Sequence, residues 1–169
     1  MRILAVIGFV GIVVAIAAAV FFFGGFFDIA ANEKDPDVVN WALVQVRTAS
    51  IRQHAHDTVA VNLEDPETVR AGARAFATRG CTNCHGGPGV DWQKFSEGLN
   101  PDPPDLKDIV GDREPAQLFW VVKHGIKMTG MPSFGATGVE DKELWSIVAF
   151  LKKLPSVSDS DFKAWTANP

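Results

Sequence analysis

The sequence predicts an all-α protein in two parts, a single membrane-spanning helix followed by a small helical domain. Three observations predict it. An unbroken apolar run stands near the N-terminus, two later segments repeat apolar residues at helical spacing, and no βαβ pattern is visible. The formal net charge of −4 lacks the dense basic face expected of a nucleic-acid binder. It leaves room for a charged docking patch.

From Ile3 to Phe27, 25 consecutive residues carry no charge. As a helix they would extend about 37 Å, enough to cross a hydrocarbon layer of about 30 Å with some tilt. Residues 1–27 are therefore expected to anchor the chain in a lipid bilayer through residues 3–27. The small-residue stretch Ala15-Ile16-Ala17-Ala18-Ala19 also resembles a signal cleavage site, but apolar sequence continues for eight residues beyond it. Arg2 precedes the run, and Asp28, Glu33, Asp35 and Asp37 follow it against Lys34 alone, which puts the N-terminus on the cytoplasmic side.

Residues 28–64 read as a linker holding a possible amphipathic helix between Val38 and His56, although Val44-Gln45-Val46-Arg47 also alternates as a strand would. The main domain is expected over 65–155. Asp65 is a fitting N-cap, with Pro66 at the first helical position. Val69, Gly72, Ala73 and Phe76 then form one buried stripe, and the helix ends at Gly80. Residues 86–111, rich in glycine and proline, should be a long ordered loop, and a loop of that length needs something to wrap. A second helix runs from Glu114-Pro115 through Phe119, Trp120 and Val122 to Gly125. A third runs from about Glu140 to Leu154, with Leu144, Ile147, Val148 and Leu151 on one face, and Pro155 stops it. Residues 156–169 are left as a C-terminal tail.

The chemistry is concentrated in Cys81-Thr82-Asn83-Cys84-His85, which holds both cysteines of the chain. A Cys-x-x-Cys pair fits a thioredoxin-like redox site, half of a zinc site, or haem attachment. The first should follow a strand in a βαβ unit. The second needs four ligands, and His54 and His56 do not stand at a usual spacing. His85, directly after Cys84, fits the third: both thiols would add to haem vinyl groups, and the imidazole would sit beneath the iron.

A second iron ligand is sought downstream, in Lys127-Met128-Thr129-Gly130-Met131-Pro132-Ser133-Phe134. This interhelical loop carries Met128 and Met131, the only methionines besides the first residue. A methionine also serves as flexible core filler. Among the remaining candidates, Trp92, Trp120 and Arg113 could meet haem propionates but read more simply as core or surface residues. His54 and His56 read as solvated, and His124 as a partner of helix-terminal carbonyls.

With these residues in view, the segment from about 65 to 155 resembles a bacterial class I c-type cytochrome, mono-haem and membrane-anchored. The likeness lies in Gly72-x-x-x-Phe76, Cys81-x-x-Cys84-His85, Gly130-Met131-Pro132 and the aromatic C-terminal helix from Leu144-Trp145 to Phe150-Leu151. The resemblance implies three main helices around one haem c, held covalently by Cys81 and Cys84, with His85 and Met131 as iron ligands. It also implies that the Pro104 carbonyl in Pro104-Asp105-Leu106 accepts the free N–H of His85. Close approach of the first and last helices is expected at Gly72, with Phe76 and Trp145 or Val148 packed around it.

An iron ligated on both sides has no open position, so the resemblance implies an electron carrier and not a catalyst. Family maturation places the haem domain in the periplasm, on a single-pass protein of the bacterial cytoplasmic membrane. Expected partners are membrane-bound: a quinol-oxidising complex, a terminal oxidase or a periplasmic dehydrogenase. A haem-based sensor in which Met131 is displaceable is the alternative from another class.

Overall fold

In the computed structural model, which describes residues 2–167, eight α-helices and two short 3₁₀ turns account for the regular structure, and the described residues form no strand. The chain divides into two units between residues 34 and 35.

The first unit is dominated by α1 (Arg2–Phe23), whose side chains are all exposed. Its 22 residues extend about 33 Å, so it is long and apolar enough to cross a membrane. The apolar run continues to Phe27, but the helix stops four residues earlier. Gly25 takes a left-handed conformation (φ 78°), and Phe26 N–H donates back to the Phe21 carbonyl at 3.1 Å, closing the helix end.

The second unit begins with α2 (Asp37–His54), which resolves the helix–strand ambiguity of this stretch in favour of the helix. Ile51 is its buried residue, and the His54 ring lies 6.0 Å from Trp120. Val38, Trp41, Leu43 and Val46 point outward.

The core is built where α3 (Pro66–Thr78) crosses α7 (Asp141–Lys153). Asp65 caps α3 by accepting from Thr68 N–H at 3.0 Å, and Val69, Gly72, Ala73 and Phe76 are buried as the stripe predicts. Around α7 the outcome differs from the single face expected, because every residue from Leu144 to Leu151 is buried. Trp145 stacks on Phe119 of α6 (Pro115–His124) at 4.1 Å between ring centroids. Phe150 is covered by Phe162 at 5.5 Å. The atoms nearest to a Cβ built on Gly72 belong to Ser146 and Phe150, the latter's ring 5.2 Å from that of Phe76, and Trp145 and Val148 are buried in the same core cluster as Phe76.

Phe162 belongs to an element that the reading of 156–169 as a tail did not contain, α8 (Asp159–Thr166). Ser158 caps it by accepting from Asp161 N–H at 3.1 Å, and Phe162 is 2% exposed. Ser158-Asp159-Ser160-Asp161 is a recognisable helix-start pattern, and Phe162 and Trp165 are three positions apart. Both signals were present in the sequence. Two short pieces complete the unit, α4 (Cys81–His85) after α3 and α5 (Leu106–Ile109) within the long loop.

Candidate functional site: the Cys81–His85 turn

The Cys81–His85 segment forms α4, one helical turn bracketed by two glycines in left-handed conformation, Gly80 (φ 79°) and Gly86 (φ 63°). Only glycine enters that region without strain, so each end of the turn can reverse direction sharply. Within the turn, Cys81, Cys84 and His85 stand at i, i+3 and i+4, on one helical face. Gln93 N–H donates to the Asn83 carbonyl at 2.8 Å, folding the start of the long loop back against the turn.

The two cysteines are free thiols. Burial pushes Cys81 up to about 12 by desolvation, so it is a protonated thiol packed against the apolar core. A thioredoxin-like site works by the opposite arrangement, a thiol lowered by its surroundings. Zinc fares no better, because no group of three or more His, Cys, Asp or Glu among the described residues could hold a metal ion.

His85 Nδ1 lies 3.0 Å from the Pro104 carbonyl oxygen. With that nitrogen donating, Nε2 is left as the ring nitrogen with a free lone pair, the one able to bind a metal. Pro104 is itself held in place: the side chain of Asp105 accepts from Lys107 N–H at 2.8 Å and caps α5. Trp92 lies in the clefts beside His85. Trp120, by contrast, is engaged with His54 and with His124, 5.0 Å away. Arg113 sits in a turn closed by Lys152, whose ammonium donates to the carbonyls of Val110, Gly111 and Arg113 at 3.0–3.1 Å.

The two methionines differ sharply. Met128 is 92% exposed and sits at φ 58°. Met131 is half-buried and packs on the same core cluster as Cys81 and Leu106. Its backbone is tied at both ends, the carbonyl accepting from Ile126 N–H at 3.2 Å and its N–H donating to Thr129 Oγ1 at 3.1 Å. Leu99, from the long loop, rests on Gly130, where an added Cβ would come within 2.8 Å of it. Thus Cys81, Cys84, His85 and Pro104 are brought together directly, and Met131 lies on a separate loop packed against the same core.

These residues fit haem c: two unpaired thiols on one face of a turn, and an imidazole beside them whose distal nitrogen is free. A helical domain built around such a turn defines a c-type cytochrome. Residues 67–151 match the family described as "Cytochrome C oxidase, cbb3-type, subunit III", and the chain belongs to that family. Comparison with curated proteins and with solved structures gave no match. Membership brings with it a covalently bound haem c and a role in electron transfer.

Proposed function

We propose that the chain is a membrane-tethered mono-haem electron carrier, acting as a subunit of a membrane complex of the terminal-oxidase kind. In this reading Cys81 and Cys84 form the thioethers, His85 and Met131 ligate the iron from opposite sides, and the haem domain faces the periplasm. The observation that carries it is the His85 Nδ1–Pro104 contact on the same turn that presents both thiols. It orients the imidazole, strengthens it as a donor and keeps the ring from rotating. Haem c, when bound, supplies an iron that takes up and releases one electron. The protein's part is to fix both ligands so that little rearranges between the two oxidation states.

Family membership supports the oxidase setting, and α1 supports tethering, since a helix of its length and composition can cross a bilayer once. The polar exit after α1 carries four acids against Lys34 up to Asp37, which supports an outward-facing haem domain.

The test is the intact mass and the alkaline pyridine spectrum of the protein purified from membranes. One haem c per chain is expected, lost when Cys81 and Cys84 are both replaced by Ser. A mass equal to the bare polypeptide would overturn the reading.

A further inference from the structure

The chain leaves His85 through a corner, Gly86-Gly87-Pro88-Gly89, closed by Gly87–Val90 backbone hydrogen bonds at 2.8 and 3.0 Å. Pro88 is fully buried. The element packed against this corner is α8. A Cβ added to Gly87 would lie 3.3 Å from Phe162 Cε1, 3.5 Å from Phe162 Cζ and 3.6 Å from Thr82 Cγ2. One added to Gly89 would meet Asp159 Cβ at 2.9 Å. The first turn of α8 and its buried ring therefore press on both glycines, and the ring converges with Thr82 of α4 on Gly87.

Phe162 is itself fixed. Its ring stacks on Phe150 at 5.5 Å, Phe150 meets Phe76 at 5.2 Å, and Ser158 caps the start of α8. Three aromatic rings thus link the crossing of α3 and α7 to the corner after His85. The last of them lies outside the segment matched to the family, which ends at residue 151, before α8 begins.

We propose that α8, through Phe162, is a positioning element for His85. It braces the backbone that leaves the turn, while the Pro104 carbonyl holds the imidazole itself. A backbone seated on close-packed rings has little room to drift, so the Nδ1–Pro104 bond keeps its length whichever oxidation state the site is in. That bond makes the imidazole a stronger donor, which favours oxidised iron and lowers the reduction potential. Loosening the corner weakens the donor and raises the potential. The inference rests on the haem c reading above and adds a residue that acts on the site through His85.

The experiment compares the full-length, haem-loaded protein in detergent with Phe162→Leu, Gly87→Ala and the two combined. Leucine keeps cover for Phe150 but withdraws the ring edge from Gly87. Alanine at 87, where the backbone is not left-handed, crowds the ring instead. Together, the added methyl fills the space that the ring vacates. The readouts are the midpoint potential and amide exchange over residues 86–90. Each single variant should raise the reduced-to-oxidised ratio at fixed poise about threefold, or about 28 mV for a one-electron couple. Each should also quicken exchange at Gly87 and Val90 about tenfold, and the double variant should recover most of both changes, a coupling that independent sites do not show. Val69→Ala, about two helical turns before Phe76 on α3, should lower the melting temperature and leave both readouts at the wild-type value. Single variants that match the wild type, a double variant no nearer to it than the singles, or a potential that moves with melting temperature in Val69→Ala as well, overturns the inference. The electron-carrier reading fails differently. A wild-type chain without haem c gives no potential at all, and exchange at Gly87 and Val90 then still decides whether α8 braces the corner.

Discussion

Gly72 and Ser146 are in direct backbone contact: a Cβ added to Gly72 would lie 1.8 Å from the Ser146 carbonyl oxygen. The obstacle is backbone on the central helix, not a side chain that could swing away. Gly72→Ala must therefore separate α3 from α7, and overpacking of this kind costs about 3 kcal/mol or more. The melting temperature of the haem-loaded protein, followed by circular dichroism, should fall by roughly 10 °C. Gly98→Ala, where an added Cβ meets nothing within 4 Å, should leave it nearly unchanged.

Lys152 ties the C-terminal helix to the end of the long loop through three carbonyls. Lys152→Met keeps the aliphatic stem and removes the donors, at a cost of about 2 kcal/mol. Amide exchange should quicken selectively over residues 106–113. Uniform loosening of the whole domain would count against a local tie.

Phe162 covers Phe150 and is 2% exposed. Phe162→Ala should destabilise the domain by about 3 kcal/mol or more, seen as a lower urea midpoint. A stretch from 156 onward that merely trailed from the domain would show no effect.

Met131 and Met128 make a matched pair. Carbon monoxide should fail to bind the reduced wild-type protein within seconds, bind rapidly to Met131→Ala, and be refused by Met128→Ala as by the wild type. If Met128→Ala is the variant that opens the iron, the ligand assignment is wrong.

The Thr68 hydroxyl and then its backbone N–H hold the Asp65 carboxyl below its usual value of 3.8. Because the folded-state value is the lower one, its ionisation stabilises the fold above about pH 4. That contribution is lost as pH falls through the folded value. Asn at this position keeps the cap without the charge. Urea midpoints of wild type and Asp65→Asn should therefore converge at acid pH and separate in favour of wild type near neutrality.

Much of the fold was legible because its signals are local. Asp65-Pro66 at the start of α3, Pro115 and Gly125 at the ends of α6, and the 69–72–73–76 stripe each depend on residues within a turn or two of one another. The Cys81–His85 turn was legible for the same reason, since thiol, thiol and imidazole at i, i+3 and i+4 need only one helical turn to meet. α8 was the loss. Its cap and its Phe162 were visible, but eight residues with one buried aromatic have little reason to be helical until Phe150 is there to cover.

By itself, then, the sequence determined an apolar span long enough for a bilayer, the three principal domain helices, and the five-residue turn that defines the protein's chemistry. All of these follow from short-range periodicity and covalent neighbourhood. Only the tertiary structure decided that Ser146 and Phe150 meet Gly72, that α7 is buried on every side, and that one methionine is packed while the other is in water. It also brought the Pro104 carbonyl to His85 across 19 residues of chain, a contact that the resemblance implied and that no local pattern encodes. Such contacts join segments whose separation the chain does not encode locally, and they form only when apolar faces from distant helices are driven together out of water.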